Sequence, residues 1–313
     1  MISLRSHAIS LASVFLALAI GVLLGSGLLS NTLLSGLRDD KKEMQNQLNG
    51  LTDEKNGLNE RISAAGEFDA MMSPRILHES LARKSVVVFR TPDAVSDDVD
   101  AVVRLVGEAG GTVSGTIGLS QQFVDANASE KLLSVVNSPI VPAGRQLSTT
   151  LVDQGSQAGD LLGITLLRDK NPAVPVVDDT QRDTVLATMR DTGFITYGSD
   201  RIGVADAALI VTGGDLGEQA GNQGTTVARF AAGLAPHGAG TVVAGRDGSA
   251  SGTAAIAVIR SDAGLAGAVS TSDDVDSQSG RITSVLAVGE LLGGSRPGQY
   301  GVGRGATSVT VPQ

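Results

Sequence analysis

The longest uninterrupted apolar stretch of the chain lies close to its amino terminus. Residues 9–29 read ISLASVFLALAIGVLLGSGLL and contain no charged side chain. A helix needs roughly 20 apolar residues to cross the hydrocarbon core of a bilayer. The pattern therefore predicts a transmembrane helix at 9–29 after a short stub at 1–8. A cleaved signal peptide is the alternative, because Gly25-Ser26-Gly27 resembles a small-residue cleavage site.

Small residues recur at four-residue intervals within this predicted helix. They are Ala17, Gly21 and Gly25. Small side chains at that interval let two helix backbones approach closely in a membrane. We expect these three residues to serve membrane helix packing, with chance occurrence in an apolar stretch as the alternative.

A second pattern follows directly and has the spacing of a coiled coil. From residue 34 onward, one stripe recurs at alternating steps of three and four residues. This stripe, the seam, consists of Leu34, Leu37, Lys41, Met44, Leu48, Leu51, Lys55, Leu58, Ile62 and Ala65. The repeat predicts a coiled coil over 33–66, which we expect to pair as a parallel homodimer, with the two lysines specifying register. A single amphipathic helix lying on the following domain is the alternative.

Strand-like and helix-like patterns alternate along the rest of the chain. Strands are predicted at the apolar runs 85–89, 112–119, 193–197, 207–212, 240–244 and 266–270. Helices are predicted at 95–108, 125–136, 181–191, 222–234, 251–260 and 281–292. The alternation indicates a largely parallel sheet with helices on both faces, so the predicted fold class is α/β, Rossmann-like, over 76–292.

Three stretches of the chain have weaker patterns. Pro74 predicts a kink or an end of the helix that leaves the coiled coil. Residues 137–179 are looser, and 161–168 within them fit either a helix or a strand. The glycine-rich tail at 293–313 is predicted to be disordered.

Composition excludes several classes of function. A net charge of −9 argues against nucleic-acid binding, which needs clustered Lys and Arg. The chain has no cysteine, so it has no disulfide, thiolate metal site or cysteine nucleophile.

Motifs for enzyme chemistry are absent from the sequence. The three histidines are His7, His78 and His237, and only His237, in a predicted turn, is a candidate base. The chain contains neither G-x-S-x-G nor H-E-x-x-H. We therefore expect no catalytic residues and predict that the protein is not an enzyme.

Two loop types invite ligand hypotheses. Glycines at 245–252 and 211–215 follow predicted strands and could admit a phosphate, but the spacing is not G-x-G-x-x-G. We interpret them as ordinary strand-to-helix turns and expect no bound cofactor. The acids Asp178 and Asp179, and Asp273, Asp274 and Asp276, could hold a hard cation, but acids before a helix more often stabilise its start.

Both ends of the chain resemble one protein family. The opening, MISLRSHAISLASVFLALAIGVLLGSGLLSNTLLSGLR, is similar to the start of the MctB-type proteins of actinobacteria. Asp273-Asp274-Val275-Asp276 followed by residues 280–287 is similar to the carboxyl-terminal signature of that family. The resemblance implies a single-pass anchor in the cell envelope and a role in copper transport or homeostasis. The same family is also described as SteB-type membrane partners in cell separation.

Copper, as a transported or sensed ion, is implied by the resemblance alone. Soft Cu(I) prefers sulfur ligands, and imidazole suits copper generally. Met71, Met72 and His78 lie within one short stretch and form the only cluster in the sequence with ligand types that suit Cu(I). Hydrophobic contact beside the coiled coil is the alternative for these residues, so the metal ligands stay unassigned.

Two functional hypotheses follow from these patterns. The first is a copper-handling envelope protein, and the second is a non-enzymatic scaffold that recruits a cell-division or cell-separation partner. In both, we expect a signal anchor that keeps the domain outside the cytoplasmic membrane, since long domains translocate largely regardless of flanking charge. The expected partners are a second copy, the membrane and another envelope protein.

Overall fold

The computed structural model describes residues 4–26, 29–217 and 220–312, and the chain divides into two compact units. The first unit is Met1–Ala65 and the second is Gly66–Gln313. Residues 1–3, 27 and 28 of the predicted stub and membrane segment lie outside the described residues.

Two helices account for the first unit. Helix α1 spans Leu4–Ser26, and helix α2 spans Leu29–Ile76, so that the last residues of α2 belong to the second unit. The helical part of the sequence prediction is therefore confirmed for both stretches. Pairing of α2 into a coiled coil stays a prediction.

Helix α2 passes through Pro74 and ends two residues later. Proline has no N–H to donate to the carbonyl four residues back, here that of Ala70. The Ser73 hydroxyl lies 3.1 Å from this carbonyl, and its shorter contact, at 2.9 Å, is to the Glu108 carboxylate.

Seven strands of the described residues form one mixed sheet, in the order β3-β2-β1-β4-β5-β6-β7. All neighbouring pairs are parallel except β2 and β3, which are antiparallel. The strands are β1 Ser85–Arg90, β2 Thr112–Leu119, β3 Ile195–Tyr197, β4 Ala207–Val211, β5 Thr241–Ala244, β6 Ser270–Ser272 and β7 Gln299–Tyr300.

Helices connect these strands. They are α3 Ser96–Glu108, α4 Gln121–Val124, α5 Ser129–Val136, α6 Gln154–Leu166, α7 Asp179–Asp191, α8 Gln223–Leu234, α9 Ala255–Ser261, α10 Ala263–Ala268 and α11 Gln278–Leu292. The α/β class is confirmed, while the Rossmann-like label stays a prediction.

Two apolar clusters bury the two faces of the sheet. Successive strand residues point to opposite faces, so Val87 and Phe89 of β1 join one cluster, while Val86 and Val88 join the other. The first cluster includes buried residues of α6 and α8, and the second those of α3 and α11. Helices therefore cover both faces, as the alternating pattern predicts.

Helix α6 is the clearest element within the loose stretch at 137–179. A Cβ built on Gly155 would lie 2.4 Å from the Thr226 carbonyl oxygen, and one on Gly159 would lie 2.3 Å from that of Phe230. Only glycine permits so close a contact with α8. The glycines weaken the helical signal in the sequence, yet they are what allows the two helices to pack together.

The strand predicted at 266–270 is wrong in its first half. Residues 263–268 form α10, and the strand is instead Ser270–Ser272. The Asp262 carboxylate accepts hydrogen bonds from the N–H groups of Gly264 and Leu265, at 2.8 and 3.1 Å. This cap starts a short helix within a stretch too small to show helical periodicity.

The tail at 293–313 departs from the predicted disorder. It supplies β7, and Tyr300 is buried against the sheet. The Asp273 carboxylate accepts hydrogen bonds from the N–H groups of Val302 and Gly303, at 2.8 and 2.9 Å. A Cβ at Gly301 or Gly303 would collide with Asp273, so these glycines permit a close approach instead of marking flexible chain. Gln313 lies outside the described residues.

Candidate functional site

The seam of α2 is an apolar stripe that the described part of the first unit leaves uncovered. Its described large apolar side chains are between 50% and 69% exposed, and Lys41 and Lys55 are exposed as well. Those apolar residues are Leu37, Met44, Leu48, Leu51, Leu58 and Ile62. The side chain of Leu34 lies outside the described part. The pairing of this stripe with a second helix stays a prediction.

Helix α1 is long and apolar enough to cross a membrane, with mean hydropathy of 2.4 over Leu4–Gly25. Ala17, Gly21 and Gly25 are exposed on it. A Cβ built at Gly21 or Gly25 would meet nothing within 4 Å in the part of the chain that the structure describes. The small-residue stripe is therefore open, while its role in packing stays a prediction.

The glycine turns after β4 and β5 are filled by the protein itself. The Asp93 carboxylate accepts hydrogen bonds from the Gly213 N–H at 3.0 Å and from the Gln223 amide at 3.1 Å. The Arg246 N–H donates to the Gly213 carbonyl at 3.1 Å, joining the two turns. The Asp93 carboxylate thus takes up the Gly213 N–H of the turn after β4, and a backbone hydrogen bond holds the turn after β5 against it, which supports the interpretation as structural turns.

The acidic loop after β6 makes internal contacts. Asp273 forms a buried ion pair with Arg260, and Asp276 accepts a hydrogen bond from the Asp247 N–H at 3.0 Å. Burial raises the pKa of Asp274, and the neighbouring charges of Asp273 and Asp276 add to the rise, while hydrogen bonds from two serine hydroxyls oppose it. These contacts support a structural role for the loop.

The paired acids before α7 also stabilise local structure. Asp178 accepts a hydrogen bond from the Gln181 N–H at 2.9 Å and so caps the helix. Asp179 pairs with Arg182 and Arg201. Within residues 4–26, 29–217 and 220–312, no group of three or more His, Cys, Asp or Glu side chains is arranged to hold a metal ion.

His237 joins two helices of the first apolar cluster. Its Nε2 lies 2.6 Å from Oδ1 of Asp160, a buried residue of α6, and Oδ2 of Asp160 accepts the Ser148 N–H at 2.6 Å. A Cβ at Gly163 would overlap the imidazole ring, so the ring lies directly on α6. These contacts tie the end of α8 and the loop before α6 to α6, which is a structural role for the candidate base.

The candidate copper ligands lie around the end of α2. Met71 is 72% exposed, Met72 is half-buried, and His78 is exposed beyond the last helical residue. Consecutive helical residues project about 100° apart, so the two sulfur atoms start from diverging directions. These three residues are close in the sequence, and their role as copper ligands stays a prediction.

An apolar groove in the second unit was not anticipated from the sequence. Its volume is about 760 Å³, and it is formed by the last turns of α2, by α11 and by the tail. Its lining residues include Asp69, Arg75, Ile76, Ile282, Leu286, Glu290 and 309–312. The apolar residues within 309–312 could have indicated that the tail packs here, but the many glycines of the tail led to the prediction of disorder.

Nearly the whole sequence matches one family in a single continuous stretch. The sequence model of the family described as "Copper transport outer membrane protein, MctB" matches residues 1–311. The chain belongs to the MctB family. The match covers both units, so the long helix, the sheet and the tail are all parts of a family member.

Curated relatives of the MctB family are similar over their full length. A protein of Mycobacterium leprae named "Copper transporter MctB" is 64% identical over 317 residues, covering 100% of both chains. The protein of the same name from Mycobacterium tuberculosis strain H37Rv is 60% identical over 314 residues, again covering 100% of both. The names of these MctB relatives describe transport, which is a non-enzymatic role. The family description and α1 together support membrane association.

Proposed function

We propose that this protein is a single-pass, membrane-anchored homodimer of the cell envelope that acts in copper transport or homeostasis. The observation that carries the proposal is the full-length identity of 60% and 64% to proteins named as copper transporters. Similarity at this level over the entire chain supports a shared role. The anchor is α1, and the domain that follows α2 lies outside the cytoplasmic membrane.

The dimer forms along the exposed seam of α2. In a parallel pair, each apolar seam residue inserts between side chains of the facing helix. Lys41 and Lys55 are tolerated in a two-stranded pair because their long stems can extend toward water. This arrangement would cover the apolar stripe that one chain leaves exposed.

Copper is handled through a partner and not through a site built into the second unit. The whole chain offers no Cys, five Met and three His, which is a poor supply for soft Cu(I). Asp178 caps α7, Asp273 pairs with Arg260, and His237 is engaged with Asp160. The protein therefore acts as a scaffold for a copper-handling envelope protein.

A second candidate function is recruitment of a cell-separation partner. The exposed seam and the internally paired polar groups favour it, because a scaffold needs dimerising and docking surfaces and no chemistry of its own. Both candidate functions use the same dimer, so they are distinguished by what changes in cells, which is copper content for the first and cell separation for the second.

The test measures copper content and cell separation in a host lacking its own copy of the gene. We expect the full chain to lower cellular copper compared with the empty host. A triple variant, Met71→Leu, Met72→Leu and His78→Gln, is expected to do so equally well. A triple variant that folds but fails would show direct coordination and contradict the scaffold mechanism. Restored separation with unchanged copper would favour the second candidate.

A further inference from the structure

The groove defined above has an apolar floor that the described chain leaves open to solvent. Ile76 is 45% exposed and Val309 is 62% exposed, and Ile282 and Leu286 of α11 line the same space. Exposed apolar surface of this kind marks an interaction site more often than ordinary surface. The remaining question is which molecule covers it.

The charges on the rim of the groove complement one another. Asp69, Arg75 and Glu290 all line it. Within the described part of the chain, Asp69 and Arg75 take part in no ion pair, whereas Glu290 accepts a hydrogen bond from the Ser295 hydroxyl at 2.6 Å. When two copies pair about a two-fold axis, a patch on one copy faces the same patch on the other. A charge in the patch can then approach an opposite charge of the second copy. A surface carrying both signs around an apolar floor is self-complementary in this sense.

The heptad register leads from the seam to the edge of the groove. The steps of three and four that reach Ile62 and Ala65 continue through Asp69, Met72 and Ile76. Ser73 and Leu77 are buried, and the Ser73 hydroxyl donates to Glu108 of α3 at 2.9 Å. The last turns of α2 therefore pack on α3 through one face and border the groove along the adjoining flank.

We propose that the groove is covered by the same groove of a second copy of this chain. The inference rests on the parallel dimer of the proposed function and extends it from the seam into the second unit. Arg75 of each copy faces Glu290 of the other, and the two apolar floors are buried between them. The dimer then has two contact surfaces, the seam in the first unit and the groove in the second.

The absence of cysteine from the chain permits a direct test by single-cysteine cross-linking of the full-length protein in detergent. Leu51→Cys probes the seam, Ile76→Cys probes the groove, and Asp191→Cys on α7 is the control. We expect mild oxidation to link the first two as dimers and to leave the control monomeric. A disulfide requires Cα atoms about 4.4–6.8 Å apart, so linkage reports close approach.

The outcomes separate the two claims. Linkage at position 51 but not at 76 would overturn the groove interface and leave the dimer intact. Linkage at neither position would overturn both. Linkage at 76 alone would support the groove interface and overturn the seam.

A charge exchange tests whether α11 belongs to the interface. In the Ile76→Cys background, Arg75→Glu is expected to lower the dimer yield severalfold, because the groove then carries only acids. Adding Glu290→Arg is expected to restore it, and neither change should alter linkage through Leu51→Cys. Lys170→Glu, at an exposed residue in the loop after α6, is the matched control. A yield insensitive to Arg75→Glu would contradict the proposal.

Discussion

At the scale of single residues, two half-buried carboxylates show how surroundings decide the effect of a charge. Asp274 lies among other acids after β6, and burial, aided by Asp273 and Asp276, raises its pKa. Asp153 is different: burial acts to raise its pKa, but hydrogen bonds from Ser156 and Arg229 outweigh this and lower it. An ionised aspartate therefore destabilises the folded protein at neutral pH at position 274 and stabilises it at position 153.

Substitution of each acid by Asn is expected to shift stability in opposite directions. The folded protein holds the proton of Asp274 more tightly than the unfolded chain does. The stability that protonated Asp274 contributes is therefore fully present below the pKa of the unfolded chain, about 3.9. It is lost as the pH rises through the higher pKa of the folded protein. Asp274→Asn should match the wild type in acid and become more stable than it toward pH 7.

The same reasoning gives the opposite sign for Asp153. Its contribution is present above the unfolded pKa and is lost as pH falls through the lowered folded value. Asp153→Asn should therefore be less stable than the wild type at neutral pH, and the deficit should close on acidification. Urea unfolding across the acidic range measures both curves. Parallel curves for the two variants would contradict the assignment.

At the scale of elements, local periodicity was a good guide wherever one face of an element is buried. The strand at 85–89 and the helix at 95–108 agree with β1 and α3 to within one residue at each end. Helix α6 and helix α10 were not resolved from the sequence, because glycine contact with α8 defines one and a side-chain cap starts the other. Periodicity cannot report a contact with a distant element.

Breaking the seam is expected to separate the proposed dimer. Leu48→Glu with Leu51→Glu removes four leucines from the seam of a pair, and each buried leucine contributes about 1.5–3 kcal/mol. The dissociation constant should rise by more than about a hundredfold. Asn46→Glu with Asn49→Glu is the matched control on the outer face of the same helix. Light scattering of the full chain in detergent measures the mass, and an unchanged dimer would contradict the seam.

At the scale of the whole molecule, the tail takes part in the fold of the second unit. Arg260 and Asp273 form an ion pair that is 3% and 2% exposed, and the tail surrounds it. The Arg260 guanidinium donates to the Tyr300 carbonyl at 2.6 Å and to that of Arg304 at 3.1 Å. A buried pair is stable only when its remaining donors and acceptors are satisfied, and the tail satisfies most of them, while Thr271 of β6 accepts from the Arg260 Nε.

Deleting residues 297–313 is therefore expected to destabilise the second unit. The deletion removes β7 and both N–H donors to Asp273, and opening a buried ion pair costs about 3–5 kcal/mol. Val302→Ser, at a tail residue that is 73% exposed, is the control and should change stability by less than about 0.5 kcal/mol. Thermal unfolding measures both. An unchanged midpoint after deletion would restore the prediction of a disordered tail.

The sequence by itself determined the features that repeat within a short window. The apolar stretch of α1, the seam of α2 and most strands and helices of the sheet are of this kind, because their signal lies in neighbouring positions. The resemblance at both ends also indicated the MctB family correctly.

Only the tertiary structure decided which distant residues meet. It joined Arg260 to Asp273 and to the tail, seated α6 on α8 through glycine, and formed the groove from α2, α11 and 309–312. The physical reason is that these contacts depend on close approach between segments far apart in the chain. A glycine that permits such an approach has the same letter in the sequence as one in a flexible loop.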